Sequence, residues 1–254
     1  MKYVKNRQKE IVELLNQTEK VLISDLSEQF NVSEMTLRRD LEALAQKGVI
    51  KRIRGGAVKV NQGSFELPFE IRYDKNHDVK DRISEIAANM IKDGETVVID
   101  TGTTALAVAE KLKERNNLTI VTSSLRVAWL LADCPNINLI VTGGVVRNGE
   151  RSLIGELTED VYDVFFPDTF ICGVGGVDIT SGFTDFNLDD ARVKKKAIQA
   201  SQRTIVVADN SKIGKTAFAK IAHLEEVDTL ITNKIANTDV INQLKKNDLT
   251  VVLA

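Results

Sequence analysis

The chain has 254 residues, a formal net charge of −2 and a hydrophobic content of 43%. This length favours two domains over one, and the apolar fraction is enough for a sizeable core. No run of about 18 apolar residues appears, and the charged N-terminal residues lack the apolar segment of a signal peptide, so we expect no membrane span. The two cysteines lack CxxC spacing and fit a reduced cytoplasm, so we expect neither a disulfide nor a metal site.

The charge is distributed unevenly along the chain. Residues 1–60 contain 12 Lys+Arg and 8 Asp+Glu, a balance of +4, whereas residues 61–254 contain the other 22 basic and 28 acidic residues, a balance of −6. An excess of four cations is only a weak sign of nucleic-acid binding, because solvated helices often carry as much. The placement of the cations matters more than their number.

Three helices are predicted in the first 50 residues. Helical spacing of apolar residues places the first near Arg7 to Asn16. Ser24 can cap the second, and Asn31 then tolerates the left-handed conformation of a tight turn. Ser33 caps the third helix, and Gly48 can end it. The buried face of this third helix consists of leucines spaced four and three residues apart, Leu37, Leu41 and Leu44. The polar residues that lie off this face are Thr36, Arg38 and Arg39. Two helices joined by a short turn, the second with exposed arginines, predict a helix-turn-helix.

A basic strand follows the third helix. Ile50–Arg54 reads as a strand with Arg52 and Arg54 on the same side. Gly55-Gly56 can then turn the chain back, and Ala57–Val60 can return as the partner strand, which would form a wing. We expect six side chains to contact DNA phosphates or base edges: Ser33, Thr36, Arg38, Arg39, Arg52 and Arg54. The alternative is an ordinary three-helix bundle with solvated arginines.

A dense motif runs through this region and consists of Val32-Ser33, Thr36-Leu37-Arg38-Arg39-Asp40-Leu41, Leu44, Gly48, Arg52 and Gly55-Gly56. It resembles the motif VS-x-x-T-[IL]-RRDL-x-x-L-x-x-x-G-x-x-x-R-x-x-GG in the DNA-binding domain of the DeoR family of bacterial repressors. The resemblance extends from Arg7 to Ala57. It implies a winged helix that binds operator DNA.

Residues 61–78 show no sustained periodicity and are interpreted as a linker between a DNA-binding domain at 1–60 and a second domain at 79–254. Proteins similar to the DeoR family carry P-F-x-x-R-x-x-x-N here, which is matched by Pro68, Phe69, Arg72 and Asn76. The two histidines, His77 and His223, have no partner His, Cys or acidic pattern nearby. We therefore expect structural histidines, no metal ion and no other cofactor.

Short apolar runs alternate with amphipathic segments from Lys80 onward. The runs are TVVID (96–100), LTIVT (118–122), NLIVT (138–142), TFICG (169–173), TIVVA (204–208), TLIT (229–232) and LTVVL (249–253). The amphipathic segments include Ala105–Arg115, Ser124–Ala132, Asp189–Ala200 and Thr238–Lys246. Apolar strands joined by crossover helices predict an α/β fold with a mostly parallel sheet covered on both faces. Ligands of such sheets bind beyond the carboxyl ends of the strands.

Polar loops follow four of these runs. Asp100–Thr104 (DTGTT) combines a tight-turn glycine, hydroxyl donors and a helix start, which suits a phosphate; a plain cap and turn is the alternative. This loop lacks the GK[ST] sequence of a Walker loop. The other three loops are Thr122–Ser124, Thr142–Gly144 and Gly173–Asp178. Together the four loops predict a small polar pocket that Lys194 and Lys212 can reach.

These loops also resemble the sensor domain of the DeoR family, which is similar in fold to ribose-5-phosphate isomerase. D-x-G-T-T, T-N-S, T-G-G and G-x-GG-[IV]-D match them in order, followed by Gly182-x-Thr184, Asp190 to Lys194 and Asp209 to Gly214. The chain departs from the usual family residues at Ser123, Asp190 and Asn210. The resemblance implies a domain that senses a phosphorylated sugar or related metabolite. The expected effector-binding residues are Asp100, Gly102, Thr103, Thr104, Thr122, Ser123, Gly143, Gly144, Gly175, Asp178, Lys194 and Lys212.

The predicted function is a cytoplasmic transcriptional regulator, a repressor of a carbohydrate-utilisation operon controlled by a phosphorylated sugar. Its expected partners are operator DNA and that effector, and two-fold operators require a homo-oligomer, a dimer or tetramer. One alternative is a sugar-phosphate isomerase or hydrolase with an attached DNA-binding domain. Related isomerases have an acidic pair in the loop matched by GVGGVD, where this chain has only Asp178, so we expect no catalytic residue. Another alternative is an activator or a non-sensing architectural protein, since these use the same DNA contact.

Overall fold

The computed structural model describes residues 2–18, 20–46, 49–59, 66–234, 236 and 238–254. The chain divides into two compact units, Met1–Ile71 and Arg72–Ala254. Buried apolar residues form one cluster in the first unit and two in the second. Within the described residues, every helix is too short or too polar to span a bilayer.

The first unit combines helices with a small antiparallel sheet. Its elements are α1 (Lys2–Thr18), β1 (Lys20–Leu22), α2 (Ile23–Phe30), α3 (Glu34–Gln46), β2 (Ile50–Ile53) and β3 (Gly56–Lys59). The apolar faces of the helices meet in a core whose largest fully buried side chains are Ile11, Leu15, Leu26, Leu37, Leu41 and Leu44. The predicted buried face of α3 is therefore confirmed.

The helix ends agree with the sequence at two positions and differ at a third. Asn31 ends α2 in the left-handed conformation, with φ 49° and ψ 48°, as predicted. Ser33 Oγ accepts from the Thr36 N–H at 3.3 Å and so caps α3. The prediction that Ser24 caps α2 is wrong, because this helix already begins at Ile23 and Ser24 donates to the Asp25 carboxylate instead. Gly48 lies outside the described residues.

The wing contains three strands in the order β1-β3-β2, whereas two were predicted. The turn lies at Arg54-Gly55, with Gly55 at φ +80°, so the predicted position of Arg54 in the strand is wrong. Gly56 is not in the turn but in β3, where a Cβ atom would lie 2.0 Å from the Val21 carbonyl oxygen. One glycine therefore makes the turn, and the other permits close pairing with β1. Val60, the predicted end of the return strand, lies outside the described residues.

Two helices occupy the segment interpreted as a linker and its C-terminal continuation. They are α4 (Phe69–Asp74), which spans the division between the units, and α5 (His77–Asn89). Neither was predicted, because the segment lacks a long apolar periodicity. Asn76, which precedes α5, adopts the left-handed conformation with φ 56°. Residues 61–65 lie outside the described part of the chain.

The second unit continues with alternating strands and helices. Its further elements are β4 (Thr96–Ile99), α6 (Thr103–Leu112), β5 (Leu118–Thr122), α7 (Leu125–Leu131), β6 (Ile137–Val141), β7 (Val145–Arg147), β8 (Ser152–Ile154), α8 (Glu156–Glu159), β9 (Thr169–Gly173), β10 (Gly176–Asp178), β11 (Gly182–Asp185), α9 (Leu188–Ala200), β12 (Arg203–Val207), β13 (Ala219–Ala222), β14 (Thr229–Thr232), α10 (Thr238–Leu244) and β15 (Thr250–Leu253). Single 3-10 turns lie at Asp160–Asp163, Asn210–Lys212 and Leu224–Glu226.

All seven predicted strands belong to one parallel sheet with the order β15-β14-β12-β9-β4-β5-β6. Alternate residues of one strand enter different clusters: Val98 packs on one face of the sheet, and Val97 and Ile99 on the other. The sheet is thus covered on both faces, which confirms the predicted α/β fold. Two small antiparallel sheets, β7-β8 and β10-β11-β13, were not predicted, because their short strands lie in segments without an apolar run as long as those of the large sheet.

Candidate DNA-binding surface and effector site

The residues predicted to contact DNA lie on α3 and on the wing. Ser33, Arg38 and Arg39 are exposed at the start of α3, and Thr36 is half-buried beside them. Arg52 is exposed on β2, and Arg54 is exposed in the turn that follows. All six side chains therefore reach the surface of the first unit.

Two of these arginines are paired with surface carboxylates. Arg38 Nη2 lies 3.1 Å from Glu34 Oε2, and Arg52 Nη1 lies 2.6 Å from Glu42 Oε2. Ion pairs of this kind contribute only about 0–1 kcal/mol, because water screens them. DNA phosphates can therefore replace the carboxylates at little cost.

Asp40 fixes the position of α3 from its buried side. Its carboxylate is 3% exposed and accepts from Arg7 Nε at 2.6 Å and from Gln8 Nε2 at 3.1 Å. These bonds join α1 to the helix that carries the exposed arginines. Asp40 was predicted only as a member of the motif, although its position three residues after Leu37 places it on the buried face of α3.

The four predicted polar loops of the second unit do lie at one edge of the large sheet. Because β4, β5, β6 and β9 are neighbours and parallel, their carboxyl ends point the same way. Helix α6 begins directly after the first of these loops, and Gly102 precedes it with φ +100°. Since glycine has no side chain to cap the helix, the N–H groups of the first turn are left to another acceptor, which is the arrangement that binds anions.

A buried cluster of charges lies behind this edge. Lys194 Nζ contacts Asp185 Oδ2 at 2.6 Å, Asp100 Oδ2 at 3.0 Å and the Gly173 carbonyl oxygen at 2.8 Å. An ammonium group has three N–H donors, so these three acceptors use them all. Lys194 therefore holds α9, β11 and the ends of β4 and β9 together. Of the three consecutive lysines, it alone is buried; Lys195 and Lys196 are not.

The pKa values of the residues in this cluster are shifted in different directions. Burial raises the pKa of Asp100 to about 6, although Lys194 partly opposes this shift. Burial also acts on Asp185, but the Lys194 ammonium and N–H donors outweigh it and lower the pKa of that carboxyl. Burial alone would lower the pKa of Lys194; the two carboxylates raise it well above its ordinary value. The lysine thus stays charged, and Asp100 is the carboxyl that is easier to protonate.

The loop after β5 is held by hydrogen bonds of its side chains and backbone. Thr122 Oγ1 donates to the Ile99 carbonyl at 2.7 Å, and Ser124 caps α7 by accepting from the Val127 N–H. Ser123 is buried between them, and its carbonyl accepts from the Leu153 N–H at 2.7 Å. Ser123, one of the three departures from the usual family residues, thus lies at this edge of the sheet.

The glycines after β6 have different surroundings. Gly143 and Gly144 both have positive φ, +77° and +116°. A Cβ atom on Gly143 would meet nothing within 4 Å, whereas one on Gly144 would lie 2.2 Å from Thr158 Oγ1. Thr158 Oγ1 in turn donates to the Gly143 carbonyl at 2.7 Å. Gly144 is therefore required by close packing, and Gly143 by its conformation alone.

The remaining predicted residues lie beyond the end of β9. Asp178 Oδ1 accepts from the Thr180 and Ser181 N–H groups at 2.9 and 3.0 Å and stabilises the turn between β10 and β11. Gly175 is packed so closely that a Cβ atom would lie 3.0 Å from the Phe186 ring. Lys212 Nζ lies 5.1 Å from the centroid of that same ring.

Three polar residues at this edge were not identified from the sequence: Asp185, Arg147 and Asn233. Asp185 is buried and directly follows Thr184, the last residue of the quoted motif. Arg147 is half-buried, and its Nη2 lies 2.6 Å from Asp190 Oδ2. At the end of β14, Asn233 is 1% exposed, and its Oδ1 accepts from the Asn210 N–H at 2.7 Å. Polar residues directly after the apolar run TLIT were the available signal for Asn233.

The first unit is a winged helix with exposed arginines, and the second is an α/β domain with a polar strand edge; together they define a transcriptional regulator of two domains. The model of the DeoR-like helix-turn-helix domain matches residues 7–63, and the model of the DeoR C terminal sensor domain matches residues 75–234. The chain belongs to the DeoR family of DNA-binding transcriptional regulators. The resemblance inferred from the motifs is therefore confirmed.

Curated relatives match nearly the whole chain. The HTH-type transcriptional regulator GolR of Listeria innocua is 33% identical over 98% of this chain and 98% of its own length. The glycerol-3-phosphate regulon repressor of Escherichia coli is 34% identical over 96% of each. These relatives confirm the prediction of a transcriptional regulator, and not the alternative of an isomerase with an attached DNA-binding domain. Among solved structures, ribose 5-phosphate isomerase A of Methanocaldococcus jannaschii is 20% identical over 55% of each chain, with a TM-score of 0.41.

Proposed function

We propose that this regulator represses a carbohydrate-utilisation operon and that a phosphorylated sugar bound at the sheet edge changes its affinity for operator DNA. The observation that carries the proposal is the uncapped start of α6 at Gly102, surrounded by the hydroxyl- and glycine-rich ends of neighbouring strands. A helix start favours an anion, and hydroxyl groups suit a sugar. The similarity to a repressor of the glycerol 3-phosphate regulon agrees with an effector of this class.

The predicted residues divide into three roles in this proposal. Gly102, Thr103 and Thr104 would bind the phosphate through the first turn of α6. Residues assigned to the rest of the effector are Thr122, Ser123, Gly143, Gly144, Gly175, Asp178 and Lys212. Asp100 and Lys194 would position these loops, because their charges are already paired within the protein.

On the DNA side, α3 and the wing would supply the contacts, through Ser33, Thr36, Arg38, Arg39, Arg52 and Arg54. A two-fold operator presents two half-sites, so the protein would act as a homo-oligomer, a dimer or tetramer, in the cytoplasm. The effector can alter DNA affinity only if it binds the DNA-competent and DNA-free arrangements with different affinities.

The proposal is tested with the full chain and a DNA duplex that it selects from a random pool. Fluorescence anisotropy gives the Kd for this duplex with and without glycerol 3-phosphate, ribose 5-phosphate, fructose 6-phosphate or inorganic phosphate. We expect at least one sugar phosphate to change Kd by about 5-fold or more. If a broad panel of sugar phosphates changed neither Kd nor the melting temperature, the assignment of the effector would be wrong. Selection of no preferred duplex would contradict operator binding.

A further inference from the structure

Lys80 anchors the first residues of the second unit. Its side chain on α5 is 5% exposed, and its ammonium group donates to backbone carbonyls at the end of α4: Arg72, Tyr73 at 3.4 Å and Lys75 at 2.6 Å. The last carbonyls of a helix have no partner within it, and a cation is the group that satisfies them best. One side chain thus fixes the backbone that leads to the DNA-binding unit.

A second attachment holds the same residues. Arg72 Nη2 forms an ion pair with Glu150 Oε2, and the Glu150 side chain is 3% exposed. Glu150 lies in the turn between β7 and β8, and its backbone carbonyl also accepts from Arg126 Nε at 3.4 Å. The short segment Arg72–Lys75 is therefore held from two directions by buried charges.

Both attachments connect to loops of the proposed effector site. Burial lowers the pKa of Lys80 to about 8; the Asp209 carboxylate opposes this shift, and the charges of Arg72 and then of Lys212 add to it. Asp209 caps the 3-10 turn that carries Lys212. The strand β7, which leads to Glu150, begins directly after Gly143-Gly144. An anion bound at this edge therefore acts on charges that already act on Lys80.

We propose that Lys80, together with the Arg72–Glu150 pair, is a positioning device that transmits occupancy of the sheet edge to the segment Arg72–Lys75, and so to the DNA-binding unit. The inference rests on the proposed function, since it assumes an anionic effector at that edge. It assigns Lys80 no contact with the effector. Loss of the device should leave both binding activities in place and remove the coupling between them.

The test measures coupling separately from binding. Lys80→Met removes the three donors, and Glu150→Gln removes the charge that holds Arg72. Arg82→Met is the matched control, because Arg82 is exposed on the same helix. For each full-length variant, anisotropy gives the Kd for the selected duplex with and without the sugar phosphate that acts on the wild type. The melting temperature with the same compound reports binding of the effector itself.

We expect the change in Kd to fall from about 5-fold or more to less than about 2-fold in Lys80→Met and Glu150→Gln, while the thermal shift persists. Arg82→Met should behave as the wild type. A change in Kd as large as that of the wild type in both variants would overturn this inference and leave the proposed function intact. Loss of the thermal shift would also overturn it, since Lys80 would then belong to the binding site. If Lys80→Met does not fold, Glu150→Gln decides by the same criterion. A wild type that responds to no compound overturns the proposed function and the inference with it.

Discussion

The ammonium group of Lys194 lies 3.0 Å from Asp100 Oδ2 and joins α9 to the loop that precedes α6. Both side chains are almost completely buried, 5% and 3% exposed. A buried charge is tolerated only when a partner compensates it, so each of these residues depends on the other. The start of α6, where we place the phosphate, is consequently fixed by a charge pair within the protein.

Replacing Lys194 by Met should strongly destabilise the second unit. The substitution leaves Asp100 and Asp185 buried without their cation, and breaking such a pair by removing one partner costs about 3–5 kcal/mol. The free energy of unfolding from urea denaturation measures this loss. Lys195→Met is the control, because Lys195 is exposed on the same helix, and its stability should equal that of the wild type. Equal stability of the two variants would show that the buried cluster contributes little.

The stability should also depend on the protonation of Asp100. Its pKa in the folded protein is raised to about 6, above the ordinary value of 3.8, so the folded state binds the proton more tightly than the unfolded state does. The contribution of this group is therefore fully present below about pH 4 and is lost as the pH rises to about 6, by an amount on the order of 2–3 kcal/mol. The pKa of Asp185 is lowered, so its contribution to the stability has the opposite sign of pH dependence. That contribution is lost as the pH falls, and the loss occurs at lower pH.

The variant Asp100→Asn isolates this effect. Asparagine can still accept from the Gly173 N–H, but it does not titrate. Urea denaturation at several pH values should show that the stability of the wild type, relative to the variant, decreases between pH 4 and pH 6. A difference that stays constant over this interval would mean that Asp100 titrates at its ordinary pKa.

The fold was largely predictable because its strands carry a strong local signal. Runs such as TFICG are mostly apolar, and all seven lie in one parallel sheet. Short pairings carry no comparable signal: Lys20–Leu22 becomes a strand only because Gly56 allows the chain to approach Val21. Helix α4 likewise ends where Lys80, on the next helix, donates to the carbonyls of Arg72 and Tyr73. Such elements depend on residues distant in the sequence.

The site was predictable at the level of loops and less so at the level of roles. The positions of the loops follow from the order of strands and helices, so Gly102 and Thr122 were predicted to lie at the same edge of the sheet, as they do. The role of Lys194 depends on Asp185, which lies on another element, and sequence spacing does not show that its three donors are already used. Pairing of charges between elements is thus the information that the sequence lacked.

Two glycines of the site should respond differently to alanine. Gly102 has φ +100° and open space around a Cβ atom, so Gly102→Ala should cost about 1–3 kcal/mol through backbone strain alone. In Gly144→Ala the same kind of strain is joined by a clash, because the Cβ atom would lie 2.2 Å from Thr158 Oγ1 and 2.7 Å from the Ile154 carbonyl oxygen. Thermal denaturation should therefore rank Gly144→Ala as the less stable variant. The reverse order would contradict the packing described for Gly144.

Asp40→Ala should destabilise the first unit and weaken DNA binding indirectly. It removes the acceptor of Arg7 and Gln8, and the loss of buried hydrogen bonds to a charged group costs about 1–3 kcal/mol. Urea denaturation measures this cost, and anisotropy at a temperature where the variant remains folded measures the affinity. Glu42→Ala is a suitable comparison, since Glu42 is exposed on the same helix and pairs with the surface arginine Arg52. Similar stability of both variants would argue against a role for Asp40 in joining α1 to α3.

The exposed arginines of α3 should affect DNA affinity without affecting stability. Arg38→Ala and Arg39→Ala remove side chains that lie off the buried face, so the melting temperature should not change. Replacing an arginine that reads a base should weaken binding to the selected duplex by about 1–3 kcal/mol and binding to a scrambled duplex by much less. Replacing an arginine that contacts a phosphate should weaken binding to both duplexes equally. It should also reduce the slope of log Kd against log salt concentration by about one unit. Anisotropy with both duplexes at several salt concentrations assigns each arginine to one mode. Unchanged affinity in both variants, as expected for the control Arg82→Ala, would remove α3 from the proposed DNA-binding surface.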